Sequence, residues 1–201
     1  MPRNPSAALA RRLRDSVRLR LAIGPSLRVK VLDTTYLAIQ TQLVPALAEE
    51  PAAVLMLGVA SRAKRIRIEA RACNRASRTH PDASGRAFAR LCLDPDGPPV
   101  RYGSVDDQAW AILRRHRLAT SRSRDAGRYL CNANYYRALA EGIPVLFVHI
   151  PPVAMVKRPR NGMHSGRARL GAADQVLALS EVALFLRVQG RREGISPRVR
   201  R

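Results

Sequence analysis

Apolar residues recur along this chain at two spacings, and the order in which the spacings alternate predicts the order of its elements. Leu9, Leu13 and Val17 recur at helical spacing and predict an amphipathic surface helix. In "SLRVKVLD", Leu27, Val29 and Val31 alternate with Arg28 and Lys30, the period of a half-buried strand. "TTYLAIQTQLVPALAEE" returns to helical spacing, with Tyr36, Ile39, Leu43 and Leu47 on one face and Pro45 interrupting it. "AAVLMLGVA" is continuously apolar, as expected of a strand covered on both faces in a parallel sheet. "KRIRIEARACN" alternates, Ile66 and Ile68 pointing one way and Arg65, Arg67 and Glu69 the other, so Glu69 is expected on the polar face.

From Asn74 to Tyr102 the pattern is lost in turn residues, "HPDASG" and "LDPDGPPVRYG", and the stretch reads as a long irregular excursion of the kind that carries function. Helical spacing resumes in "SVDDQAWAILRRHRL", with Ser104 the expected cap and Asp107 three residues on. A further helix is expected through about Glu141 with Gly142 as its stop, followed by the apolar strand "IPVLFVHIPP", ended by prolines, and an amphipathic helix over 170–188. Strands separated by helices of this length predict an α/β fold: a single three-layer α/β/α domain over 1–190 with a largely parallel central sheet. Residues 191–201 read as a basic, disordered tail, and neither an internal repeat nor a second domain is expected.

Composition narrows the function classes. With 46% apolar residues among 201 the chain can build a core, yet its formal charge is +21 and its pI about 11.6. Such a charge usually points to nucleic acid or an anionic surface. Here only three of the 36 basic residues are lysines and the arginines are spread from end to end, a pattern that also fits a coding bias toward arginine. Aromatics are 4% and do not interleave with the basic residues as a base-stacking platform requires, so no specific nucleic acid is expected as partner. No run reaches the roughly 18 apolar residues of a membrane span, so no membrane partner is expected either. The arginine-rich opening superficially resembles an organelle transit peptide, but the amphipathic helix explains it equally well. Cys73, Cys92 and Cys131 are odd in number and widely spaced, which suggests reduced thiols in a cytoplasm. Neither CxxC nor HExxH is present, and no metal site is expected.

In open α/β sheets, sites gather where strands end and helices begin. His149 is the next-to-last residue of "VLFVHI", and Cys131 follows the turn "RDAG" into the first turn of a helix, where backbone N–H groups and the helix dipole favour a thiolate. A thiolate with a histidine in reach is the arrangement for acyl transfer: the cysteine attacks a carbonyl, the histidine protonates the leaving amine, and the helix start holds the oxyanion. Glu69 is the best candidate to orient the histidine. Taken singly, each residue has a plainer explanation. The cysteine can be a small buried hydrophobe, the histidine a satisfied core residue, and Glu69, between Arg67 and Arg71, a surface ion pair.

Four segments in order, "LGVASRAKRIRIEARACN", "PDASG", "SRDAGRYLCN..YYRAL" and "FVHIPP", resemble the pyroglutamyl peptidase I family of cysteine exopeptidases. That family places its glutamate in E-x-x-A-x-N, its nucleophile in A-G-x-Y-x-C-N and its histidine in F-x-H-x-P, which fall on Glu69, Cys131 and His149 here. The resemblance implies removal of an N-terminal pyroglutamyl (5-oxoproline) residue from peptides through a thioester. It also implies no cofactor, a cytoplasmic location and often a homo-oligomer. The N–H of Cys131 is expected in the oxyanion hole, and Asn132 is expected either to help fix the motif or to have a structural role in the helix start. Family members begin with a hydrophobic strand and a glycine-phenylalanine-proline-phenylalanine loop ahead of the match to Asn4-Pro5. This sequence has neither, so a sheet one strand short and a pocket short of one wall are expected. Around Ser61–Lys64 the chain carries arginine and lysine where many relatives have a glycine-rich turn. A catalytically inactive, truncated relative and a basic nucleic-acid-binding protein remain the alternatives.

Overall fold

In the computed structural model, which describes residues 4–152 and 171–195, the first helix begins where local chemistry allows. Asn4 caps it by accepting from the Ser6 N–H at 3.1 Å, and Pro5, which has no N–H to lose, opens α1 (Pro5–Arg14). After α2 (Val17–Ile23) the chain turns at Gly24, whose φ of 67° suits a residue without a Cβ.

The strand expected at Leu27, Val29 and Val31 does not form: the segment pairs with no strand among the described residues. Alternation makes a segment fit for a sheet, but a strand exists only once its backbone groups find a neighbour. The helix expected next is present in an altered form. Residues Ile39–Leu43 make a π-helical turn and α3 (Val44–Ala48) continues from it. Pro45 can neither donate to the carbonyl four residues back nor fit its ring against it, and the Val44 N–H reaches five residues back to Ile39 instead.

The central sheet comprises β1 (Val54–Val59), β2 (Ile66–Glu69), β5 (Thr120–Ser123) and β6 (Val145–Ile150), in the order β1-β6-β2-β5. β1 runs parallel to β6 and β2 parallel to β5, while the β2–β6 ladder is antiparallel, so the sheet is mixed and mostly parallel. The expected strand "KRIRIEARACN" breaks at Ala70. Its N–H stays with Ser123 of the central sheet at 2.8 Å, and its carbonyl accepts from Gly103 at 2.9 Å. Beyond it, β3 (Arg71–Cys73) pairs with β4 (Val100–Tyr102) in a separate hairpin-like ribbon. The polar edge strand β5, "TSRS", has no apolar alternation that would have announced it.

Helices cover both faces. α1, α2, α4 (Asp106–Arg115) and α6 (Ala172–Ile195) pack on Ile66, Ile68, Leu146, Val148 and Ile150. α3, its π-turn and α5 (Leu130–Ala138) pack on Met56, Val145 and Phe147 of the other face. This is the expected three-layer arrangement. α4 begins one residue later than expected, with Val105 at the cap position and Asp106 and Asp107 in the first turn, where carboxylates complement the helix dipole. α6 runs on to Ile195, past the boundary expected at residue 190. The start of that helix at Leu170 and the tail beyond 195 lie outside the described residues.

Candidate active site

β6 presents alternate residues to the two cores, and His149 shares the α5 side with Val145 and Phe147. β2 lies antiparallel beside it, Arg67 opposite His149 and Glu69 opposite Phe147, so both side chains of β2 join His149 on one face. Glu69 is therefore not on a solvated face as expected. It is 0% exposed, and its Oε1 lies 2.8 Å from His149 Nδ1. The strand alternates as its sequence predicts, but α5 and the β3–β4 ribbon cover the end of that face. Glu69 Oε2 has no hydrogen-bond partner among the described residues, which leaves the imidazole as the main polar compensation for a buried carboxylate.

Cys131 sits in the first turn of α5, as expected, and is partly buried against the same core. Tyr129 occupies the cap position in extended conformation without a side-chain cap bond. The Arg128 carbonyl, which could have drawn in the Asn132 N–H, accepts instead from Ser77 at 2.6 Å. The N–H groups of Leu130 and Cys131 thus have no acceptor among the described residues and are free for an incoming oxyanion.

Burial alone would push the His149 imidazole down, but hydrogen bonding to Cys131 and Glu69, together with their negative charge, carries it up to about 9. With Nδ1 committed to Glu69, Nε2 is the nitrogen left to serve the thiol. The raised value favours the protonated ring over the pH range in which a free histidine would be neutral.

Supporting residues were not all visible in advance. Asn132 is fully buried, its Oδ1 accepting from the Cys73 N–H at 2.8 Å and its Nδ2 donating to the Cys73 and Arg75 carbonyls at 2.8 and 2.9 Å. It ties the helix start to the end of β3, so the same bonds hold the motif and anchor the helix start. Gly58 of β1 lies opposite His149, and a Cβ there would come within 2.8 Å of the Phe147 ring and 3.0 Å of Cys131 Sγ. The Phe147 ring in turn packs on His149 at 4.8 Å between centroids. Beside the thiol, Tyr36, Phe88 and Tyr129 form an aromatic group, with centroids 4.8 Å (Tyr36–Phe88) and 5.9 Å (Tyr36–Tyr129) apart. Asp82 of the "PDASG" loop holds it in place by accepting from the Tyr36 N–H at 2.9 Å, while Tyr129 Oη donates to the Pro81 carbonyl. Hydrogen bonds from Ser84 and the Tyr36 N–H hold the Asp82 carboxyl down at about 2, against the effect of burial. Burial, with Tyr129 and Asp82 nearby, pushes the Tyr36 hydroxyl up to about 12. A glycine in an apolar strand is the one cue that pointed to Gly58; nothing in the sequence pattern gave the Asn132 bonds.

A cysteine at a helix start, a histidine on the adjoining strand and a buried carboxylate behind it make up the constellation of the thiol hydrolases. A family model described as pyroglutamyl peptidase matches residues 2–165, and the chain belongs to that family. Mouse pyroglutamyl-peptidase 1 is 29% identical over 174 residues, 82% of this chain and 80% of the mouse protein. Pyrrolidone-carboxylate peptidase 1 of Caldanaerobacter subterraneus is 26% identical over 78% of this chain and 79% of its own length. Among solved structures, pyrrolidone carboxyl peptidase from Thermus thermophilus superimposes with a TM-score of 0.74 at 30% identity, covering 94% of this chain and 93% of that one.

Proposed function

We propose that this chain is a cysteine exopeptidase that removes an N-terminal pyroglutamyl residue from peptides, with Cys131 as nucleophile, His149 as general acid and base and Glu69 orienting it. The observation that carries the reading is the buried Glu69–His149 pair at 2.8 Å on the face that also packs the Cys131 helix start, in a member of this family. Cys131 Sγ attacks the carbonyl carbon that joins the lactam ring to the peptide, and the N–H groups of Leu130 and Cys131 receive the oxyanion. His149 gives its Nε2 proton to the leaving amine as the C–N bond breaks, which leaves a thioester. A water, deprotonated by His149, then cleaves the thioester, releasing 5-oxoproline and restoring the thiol. Tyr36 and Tyr129 are placed to pack on the lactam ring. No step needs a cofactor.

Release of a fluorogenic amine from a pyroglutamyl amide is the test. The wild-type chain should release it and Cys131→Ala should not, while keeping its fold; equal rates from both would overturn the assignment. On the family resemblance we also place the protein in the cytoplasm as a homo-oligomer, which sedimentation and cell fractionation check. Among the described residues no helix is long and apolar enough to cross a membrane.

A further inference from the structure

Arg67 stands directly opposite His149 on the antiparallel β2–β6 ladder, with its side chain on the same face. Directly opposed residues on such a ladder lie about 4.5–5.5 Å apart at their Cα atoms. Two residues further along the same row, Glu69 is fully buried, whereas Arg67 is exposed. Arg67 thus belongs to the mouth of the site and Glu69 to its floor.

The chain reaches Arg67 through the turn between β1 and β2. That turn starts beside the end of β6, the Ala60 N–H donating to the Ile150 carbonyl at 3.0 Å, so it lies at the edge of the sheet where His149 is found. It brings Arg62, Lys64 and Arg65 to the surface there. None of these four cations has a hydrogen bond or ion pair among the described residues, while many other arginines of the chain, Arg101 and Arg122 among them, are paired with carboxylates or carbonyls.

We propose that this basic rim selects pyroglutamyl peptides whose leaving portion carries a carboxylate within one residue of the scissile bond, with Arg67 as the main contact and Arg65 beside it. The inference rests on the peptidase reading above and names its substrate class. Unpaired guanidinium groups have no existing ion pair to break before meeting an incoming carboxylate, so their main cost is side-chain entropy, and an arginine offers the carboxylate two parallel donors. The carboxylate can come from an acidic side chain or from the free C-terminus of a dipeptide; the chemistry is the same.

The test measures kcat/KM from 5-oxoproline release on four peptides: pyroglutamyl-glutamate, -glutamine and -lysine, each as the C-terminal amide, and pyroglutamyl-glutamine with a free carboxylate. At low ionic strength the amide of the glutamate peptide, or the free-carboxylate peptide, should be preferred over the neutral amide by roughly fivefold, the ceiling for an exposed ion pair. The lysine peptide should be the poorest, and added salt should shrink the preference. The two carboxylate-bearing peptides distinguish side-chain from terminal recognition. Arg65→Gln/Arg67→Gln should abolish the preference and Arg67→Glu invert it. Arg18→Gln/Arg192→Gln removes the same charge from the helices on the other face of the sheet and should leave the preference intact. A wild-type ratio near one with measurable turnover would overturn the inference and leave the peptidase reading standing. Equal loss of preference in the distal variant would overturn it in favour of steering by the net charge. No turnover of any peptide would overturn both.

Discussion

Replacing Gly58 by alanine tests the packing that aligns the site. The added Cβ would meet Phe147 Cζ at 2.8 Å and Cε1 at 2.9 Å, closer than real Cβ atoms come to a neighbour, and Cys131 Sγ at 3.0 Å, a tight contact from which one of the two must give way. The ring has little freedom to move, because Tyr135 and His149 both pack against it, at 5.6 and 4.8 Å between centroids. The strain therefore passes to the imidazole or to the thiol. Overpacking of this kind costs about 1–3 kcal/mol. At about 2–4 °C per kcal/mol for a chain of this size, the unfolding midpoint should fall by roughly 2–12 °C. Displacing a reacting group by even a fraction of an ångström is costlier to the chemistry, and kcat should fall by roughly ten- to a hundredfold with a smaller change in KM. Calorimetry and steady-state kinetics on Gly58→Ala, Phe147→Leu and the double variant make the assay. Leucine lacks the two ring atoms that clash, so in the Phe147→Leu background the added methyl should cost clearly less than in the wild type. Full activity and an unchanged midpoint in Gly58→Ala, or the same loss in both backgrounds, would refute the reasoning.

Three further outcomes are expected. Glu69→Gln removes one of the two negative partners that hold the His149 imidazole near 9, so its titration, followed by NMR, should move toward the ordinary histidine range, and an unmoved value would contradict the assigned contact. Because the folded-state value is raised, the stability that His149 contributes is complete below about 6.5 and is lost as pH rises through about 9; the loss is at most about 3 kcal/mol at 1.36 kcal/mol per unit, read by urea unfolding of wild type against His149→Ala. Asn132→Ala strands the Cys73 N–H and the Arg75 carbonyl, while the Cys73 carbonyl keeps the Arg75 N–H, and should cost about 2–4 kcal/mol in the same unfolding experiment, with turnover falling as the helix start loosens.

How much of this was legible in the sequence depended on whether the controlling interaction was local. The continuous apolar runs that became β1 and β6 name their own environment, and Gly142, at φ 65°, ends its helix as a C-cap glycine should. The position of Cys131 in the first turn of α5 was equally local. Burial of Glu69 was not, since its strand alternates correctly and only the covering elements decide whether the polar side is wet. The segment 27–31 failed for the converse reason: its own pattern is right and its partner is missing among the described residues. β5 is the mirror case, a polar strand made by a neighbour's free edge and not by its own side chains. Asn132 joins residues 59 positions apart, a contact that no window along the chain contains.

The antiparallel pairing of β2 with β6 makes the site an all-or-none readout of register. Sliding β2 by one residue would bring Ile66 and Ile68 to the side of His149 and send Arg67 and Glu69 into the opposite core, among Leu146, Val148 and Leu179. A guanidinium and a carboxylate in that hydrocarbon layer would be far more costly than any backbone bond gained. Partially misthreaded molecules therefore have no weakened histidine–carboxylate pair. They have none, so activity per folded molecule should behave as a count of correctly threaded chains.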